Sequence, residues 1–217
     1  MKNSNSTSCL QPVRILYKTS PHRTVGGFSL KDLSPYSPEY ESYNEQNTIS
    51  TLALCHDVKE IRSQPRRFSY IKQDGRSGFH IPDYEVITDS GSIYLEVKAI
   101  ENLIEKSNIE KYSYIARHYL MGHERLGFLT NVQLEENPRF DSVLLLRRYI
   151  NSQINHDALS TAKQMLSNGP ITIHTLLRLS SLTLLDVYTF IARRYLCFDM
   201  SISLGVELHS ELTHLAI

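Results

Sequence analysis

The sequence lacks several features that would place it outside the ordinary globular proteins. It contains no tryptophan, and its three cysteines, Cys9, Cys55 and Cys197, are widely separated and form no CxxC motif. Such cysteines indicate neither a disulfide framework nor a zinc site, and they favour a reducing compartment. No apolar run approaches the roughly 18 residues that span a bilayer, and the N-terminus has no hydrophobic signal segment. We therefore expect a cytoplasmic protein without a membrane segment.

The chain also has no net charge, with 23 basic and 23 acidic residues among its 217. This balance excludes a globally basic nucleic-acid binder. Hydrophobic residues make up 41% and charged residues 21%, values that exclude wholesale disorder and fibrous repeats. The length allows one large domain or two small ones.

The charges are unevenly distributed, since residues 59–82 contain six basic residues against only two acidic ones. The basic residues are Lys59, Arg62, Arg66, Arg67, Lys72 and Arg76. A locally basic stretch between groups of carboxylates fits a surface that holds a phosphate backbone next to a metal ion. It fits equally well a solvated strand and loop rich in arginine, and both interpretations stay open.

The first part of the chain alternates between helical and strand-like patterns. Residues 1–38 are rich in Ser, Thr and Pro and predict an irregular arm. Residues 41–55 predict a helix whose apolar stripe continues into Glu41 and Glu45, so at least one carboxylate should face the core. Residues 84–87 and 92–98 predict a β-hairpin, residues 107–121 a helix, and residues 127–131 a further strand.

The pattern changes after about residue 152. Basic residues become sparse, and helices are predicted at 157–166, 173–179 and 183–195. Two strand-like segments, 196–201 and 203–208, follow around a turn at Gly205. We therefore expect a winged-helix-like domain over 153–217, after a first domain over 1–152.

One constellation points to chemistry: Pro82-Asp83, followed by Glu96-Val97-Lys98. Glu96 and Lys98 are two residues apart in one strand, so their side chains leave the same face. A symmetric hairpin would place Asp83 directly opposite Glu96, with Cβ atoms roughly 4.5–5.5 Å apart. Two carboxylates at that distance can hold a divalent cation such as Mg²⁺. The alternative is a surface hairpin with an exposed Glu96–Lys98 ion pair.

These residues resemble the PD-(D/E)xK pattern of restriction-endonuclease-like nucleases. The upstream block, Glu41-Ser42-x-x-Glu45 through Leu52 and Asp57-Val58 to Arg62-Ser63-Gln64-Pro65, is similar to the TnsA endonuclease subunit of Tn-seven-like transposases, including CRISPR-associated ones. The resemblance implies an α/β fold with a mixed sheet flanked by helices.

The resemblance also implies a site and a cofactor. Glu45, Asp83 and Glu96 would be the carboxylate ligands of Mg²⁺, with Mn²⁺ as an alternative. The carbonyl of Val97 would be a further ligand, and Lys98 would be the active-site lysine. The residues expected to contact DNA are Arg62, Gln64, Arg66, Arg67, Lys72, Arg76 and His80.

The implied function is cleavage of the 5′ strands at transposon ends in a bacterial cytoplasm. The implied partners are transposon-end DNA, a DDE-type transposase subunit and an AAA+ ATPase regulator, with no membrane. Two alternatives stay open. One is a free-standing restriction or repair nuclease of the same fold, and the other is a DNA-binding adaptor without catalysis.

Overall fold

A computed structural model describes residues 13–14, 24–30, 33–34, 36–204 and 210–214. Its helices are α1 (Tyr43–Leu54), α2 (Ile100–Leu103), α3 (Lys106–Met121), α4 (Asn131–Leu134), α5 (Arg139–Leu146), α6 (His156–Leu166), α7 (Ile173–Leu179) and α8 (Leu184–Ala192). Its strands are β1 (Gly26–Gly27), β2 (Glu39–Tyr40), β3 (Val58–Ser63), β4 (Phe68–Ile71), β5 (Ser77–His80), β6 (Tyr84–Thr88), β7 (Gly91–Lys98), β8 (Leu126–Thr130), β9 (Ile171–Thr172), β10 (Leu196–Phe198) and β11 (Glu211–His214). None of the helices in these ranges is long and apolar enough to cross a membrane.

The central sheet has the strand order β3-β6-β7-β8 and is mixed. Strands β3, β6 and β7 pair antiparallel, whereas β8 joins β7 in parallel. The turn between β6 and β7 ends at Gly91, which has a φ of 106° that favours glycine. Tyr84 pairs with Leu95 and Thr88 with Gly91, which is the symmetric register expected from the sequence. The predicted mixed sheet with flanking helices is confirmed.

The two faces of the sheet are covered by different layers. Val97 on one face belongs to the main apolar cluster, together with Ile49 of α1. On the other face, Tyr94 packs in a second, aromatic cluster between the β4–β5 hairpin and α3. Residues of that cluster are Phe68, Tyr70, Tyr94, Tyr112, Ile115 and Tyr119. Because side chains alternate along β7, Glu96 and Lys98 share the aromatic face with Tyr94.

Helix α1 begins later than predicted. Ser42 is its N-cap, and the Ser42 side chain accepts a hydrogen bond from the Glu45 backbone N–H. Glu41 therefore precedes the helix, and the prediction that it continues the helical stripe is wrong. The cause is local, because a serine three residues before a glutamate is a strong start signal for a helix.

The N-terminal arm is partly ordered into the core. Strand β1 pairs antiparallel with β2, and Leu30 and Leu33 are buried in the main cluster. The prediction of an irregular arm is therefore wrong for Gly26 and Gly27, whereas Leu30 and Leu33 are buried but have no regular secondary structure, as expected. Residues 1–12, 15–23, 31–32 and 35 lie outside the described residues.

The C-terminal part contains α6, α7 and α8, close to the predicted positions, and a small sheet with the order β10-β11-β9. The predicted hairpin around Gly205 needs correction. Ser203 and Leu204 are not in a strand, residues 205–209 lie outside the described ranges, and the partner of β10 is β11. The winged-helix assignment and the domain boundary near residue 152 stay predictions.

The segments on either side of residue 152 share one apolar cluster. Arg194, which follows α8 and has a φ of 62°, reaches across and donates to the backbone carbonyls of Cys55 and Val58. The Cys55 carbonyl lies at the end of α1 and the Val58 carbonyl at the start of β3, so this side chain joins the C-terminal helices to the central sheet.

We expect Arg194→Ala to lower the melting temperature, because it removes a charged donor from two carbonyls. The loss should be about 2 kcal/mol, or roughly 4–8 °C for a chain of this size. Thermal denaturation followed by circular dichroism measures it. Arg178→Ala is the matched control, because Arg178 is exposed at the end of α7. Equal melting temperatures for the two variants would contradict this role.

Candidate active site

The predicted metal-binding and catalytic residues line one open cleft of about 880 Å³. Its walls include Glu45 from the first turn of α1, Asp83 before β6, and Glu96, Val97 and Lys98 from β7. The end of β5, residues 79–81, and Lys111 of α3 complete the opening toward solvent. The carboxylates and the amine predicted from the sequence are therefore brought to the same place.

Glu96 is the most firmly held of these groups, with only 4% of its surface exposed. His80 Nε2 lies 2.8 Å from Glu96 Oε2, and the Tyr112 hydroxyl donates to Oε1 at 2.7 Å. Lys98 Nζ is 3.0 Å from the same Oε1. Burial disfavours the ionised form, but the His80 hydrogen bond and the Lys98 charge outweigh it and lower the pKa of Glu96. Glu96 is thus an anion fixed in one orientation.

The pKa of Asp83 is shifted in the opposite direction from that of Glu96. Its Oδ2 accepts a hydrogen bond from the Val97 N–H at 2.7 Å, and Lys98 Nζ lies 3.8 Å from the same oxygen. Burial and the negative charge of Glu96 nevertheless raise the pKa of Asp83 well above its usual range. Oδ1 of Asp83 makes no hydrogen bond to any residue that the structure describes. This carboxyl group keeps a free oxygen in the cleft.

Glu45 holds the start of α1 and lines the cleft at the same time. One carboxylate oxygen accepts from the Glu41 N–H at 2.8 Å, and the other accepts from the Ser42 hydroxyl at 3.1 Å. Burial raises the pKa of Glu45, while these hydrogen bonds oppose the shift. Lys98 also has a raised pKa, because Asp83 and Glu96 outweigh the effect of its burial.

The donor set fits a hard divalent cation. Such ions take carboxylate and carbonyl oxygens, and three carboxyl groups here face one lysine. Burial is the main cause of the raised pKa values of Asp83 and Glu45, and the negative charge of Glu96 adds to the shift of Asp83. Within the described ranges, however, no three His, Cys, Asp or Glu side chains already stand in a metal-binding arrangement. Cation binding would therefore require these carboxylates to move from their present positions.

Two residues that support the site were not predicted for that role. His80 is 5% exposed and is hydrogen-bonded to Glu96 by one ring nitrogen, while the other lies 3.3 Å from the Tyr119 hydroxyl. These two contacts engage both ring nitrogens within the protein, and the contact of His80 with DNA stays a prediction. Tyr112 lies in the helix predicted over 107–121, and its buried hydroxyl donates a hydrogen bond to Glu96.

The residues predicted to contact DNA are placed in different surroundings. Arg62 is paired with Glu60 and Glu85, and Gln64 is buried and accepts a hydrogen bond from Arg14. The side chains of Arg62 and Gln64 therefore form their contacts within the protein itself. The others lie on or beside the β4–β5 hairpin. Two of them form ion pairs, Arg66 with Glu124 and Arg76 with Asp74. Arg67 stacks on Phe79, and Lys72 lines a neighbouring groove.

Residues 55–124 match the family model described as "TnsA-like endonuclease N terminal". No curated protein matches the chain. The matched range contains Asp83, Glu96, Val97 and Lys98, but Glu45 lies outside it. The match confirms the resemblance to TnsA-like, restriction-endonuclease-like proteins and supports a nuclease of that kind.

Proposed function

We propose that this chain is a Mg²⁺-dependent DNA endonuclease that cuts the 5′ strands at transposon ends as one subunit of a heteromeric transposase. The observation that carries the proposal is the cleft that gathers Glu45, Asp83, Glu96 and Lys98 within and beside a TnsA-like segment. An anchored anion, a second carboxyl group with a free oxygen and a lysine are the groups that phosphodiester hydrolysis by this class of nuclease needs.

Asp83, Glu96, Glu45 and the carbonyl of Val97 would hold the Mg²⁺ ion, with Mn²⁺ as a substitute. When bound, the cation supplies charge neutralisation at the phosphodiester and activates water. The chain's own residues prepare this site. His80 and Tyr112 fix the orientation of Glu96, and the Val97 N–H fixes Oδ2 of Asp83.

Lys98 would act on the substrate rather than on the cation. The Lys98 side chain is 34% exposed and lines the open cleft, while its ammonium group stays paired with Glu96. From there it can donate a hydrogen bond to the attacking water or to a phosphate oxygen. The raised pKa keeps this group protonated at neutral pH.

The partner surface is proposed on the C-terminal helices. Leu184 and Leu185 at the start of α8 are exposed, as is Leu179 at the end of α7. Val187 of the same helix is fully buried and does not belong to this surface. Exposed leucines at the start of a helix suit contact with protein better than with phosphates, so we assign them to a DDE-type transposase subunit or an AAA+ ATPase regulator.

A cleavage assay tests the function. Duplex DNA carrying a transposon end should be nicked in Mg²⁺ and not in EDTA, and the assay should be run with and without the transposase subunit. Glu45→Gln should reduce nicking, because Glu45 is one of the proposed metal ligands, whereas Glu41, which lines the same cleft but pairs with Arg14, is the control as Glu41→Gln. A larger loss in Glu41→Gln would contradict the role of Glu45. Cleavage of any DNA without transposon-end preference would favour a free-standing nuclease, and binding without cleavage would favour an adaptor.

We expect Tyr112→Phe to lower the cleavage rate by about 10- to 100-fold, as for other groups that orient a metal ligand. Loss of the hydroxyl donor should raise the pKa of Glu96, so the acid limb of the pH–rate profile should move to higher pH. Tyr114→Phe is the control, because Tyr114 is on the same helix and its hydroxyl contacts Gln73 and Glu110 instead. An unchanged pH profile in Tyr112→Phe would show that the hydroxyl only packs.

A further inference from the structure

The outer face of the β4–β5 hairpin exposes apolar side chains that the fold does not require. Phe68, Tyr70 and His80 point inward toward α3, and the alternation of strands sends Ile71 and Phe79 outward. Phe79 is 56% exposed and Ile71 is 62% exposed. Ile71 and Phe79 thus place two exposed apolar side chains on one face of the ribbon, where they can contact a ligand.

Arg67 completes this surface. Its guanidinium carbon lies 3.8 Å from the centroid of the Phe79 ring, which is a close cation–π contact. Among the residues that the structure describes, no carboxylate forms an ion pair with Arg67. The aromatic ring, and not an acidic partner, thus positions this cation, and its charge stays available to an anionic ligand.

The pair also lies at the rim of the candidate active site. Phe79 lines the same cleft as Asp83 and Lys98, and it directly precedes His80, which holds Glu96. Lys111 lines both this cleft and the neighbouring groove that contains Lys72. In the described parts of the chain neither lysine is paired with a carboxylate. Arg67, Lys72 and Lys111 can therefore meet the phosphates of a polyanion at the rim, while the carboxylates of the same cleft need a bound cation before a phosphate can approach them.

We propose that Phe79 and the stacked Arg67 form a platform for an unpaired nucleobase of the DNA substrate beside the cleavage site. This inference rests on the proposed nuclease function and adds that the substrate is locally unpaired at the cleft. Every base has a π-face that can stack on an aromatic ring, and a guanidinium group adds cation–π and phosphate contacts. Base stacking on the hairpin would leave the adjacent phosphodiester directed toward the carboxylates.

The absence of tryptophan from the chain allows a direct test. Phe79→Trp in the full chain, combined with Asp83→Asn to prevent cleavage, introduces a single indole at the platform. Addition of a short single-stranded oligonucleotide should quench its fluorescence in a saturable manner. Leu120→Trp in the same background is the control, since Leu120 is 76% exposed near the end of α3, away from the cleft. Its fluorescence should not change.

A binding measurement by fluorescence anisotropy completes the test. Phe79→Ala should weaken binding of a duplex with an internal unpaired loop by about tenfold and leave binding of the fully paired duplex within about twofold. Equal effects on both duplexes, or oligonucleotide binding without indole quenching, would overturn the platform while leaving the nuclease function intact. Failure of the chain with an unaltered Phe79 to bind either duplex would overturn both proposals.

Discussion

Replacing Asp83 with asparagine should reduce DNA cleavage by about a thousandfold, the scale expected when a charge-stabilising group is lost from an active site. Asp83 is the cleft carboxyl group that keeps an oxygen free of hydrogen bonds to the described residues. Asparagine has the same shape, and its oxygen can still accept from the Val97 N–H, so the local backbone should be preserved. Single-turnover cleavage in saturating Mg²⁺ measures the effect.

The same substitution should stabilise the protein in the absence of metal. Because the pKa of Asp83 is raised in the folded state, its ionisation destabilises the fold, and wild-type stability should fall as pH rises above the ordinary carboxyl range. The Asp83→Asn variant has no ionisable group at this position, so its stability should not fall in this way. At alkaline pH it should be more stable by about 2 kcal/mol, or roughly 4–8 °C, and the difference should vanish toward pH 4.

The control for both effects is Asp89→Asn, because Asp89 lies in the hairpin turn with a side chain that is 78% exposed and paired with Lys59. It should leave cleavage and the pH dependence of stability unchanged. Wild-type cleavage by Asp83→Asn would remove Asp83 from the catalytic machinery. A lower stability than wild type at alkaline pH would show that the Val97 hydrogen bond outweighs the burial of the charge.

The hairpin that carries the site could be predicted from the sequence because local rules determine it. Alternating β-formers flank the turn that ends at Gly91, and the observed pairing of Tyr84 with Leu95 follows from counting outward from that turn. Strand β5 was not predicted, because Gly75 and Gly78 interrupt its pattern. Gly78 is required for packing: a Cβ there would lie 2.5 Å from the Tyr70 ring, which crosses it. Gly78 locally predicts the end of a strand, but its contact with Tyr70 explains why glycine lies inside β5.

The groups around Glu96 could not be predicted because they come from distant parts of the chain. His80 reaches Glu96 from β5, 16 residues before it, and Tyr112 reaches it from α3, 16 residues after it. One signal was available for Tyr112: it shares a helix face with Ile115 and Tyr119, and a tyrosine on a buried face needs a partner for its hydroxyl. The sequence could not indicate that this partner is a catalytic carboxylate.

We expect Lys98→Met to lower the rate of cleavage by about 10²- to 10³-fold while Mg²⁺ affinity stays within a few fold of wild type. Methionine has a similar length but no charge, and an ammonium group is not a ligand to a cation. Glu96 would still be held by His80 and Tyr112. Single-turnover rates give the chemical step, and calorimetric titration gives the metal affinity.

The pH profile separates this role from a purely structural one. Lys98 is the cation that lowers the pKa values of both Asp83 and Glu96, so its loss should move the acid limb of the cleavage profile to higher pH. Lys98→Arg keeps the charge and should leave the limb near its wild-type position even if the rate falls. Lys106→Met, on the exposed first turn of α3, should change neither quantity. Unchanged turnover in Lys98→Met together with lost Mg²⁺ binding would reverse the roles assigned to Lys98 and the carboxylates.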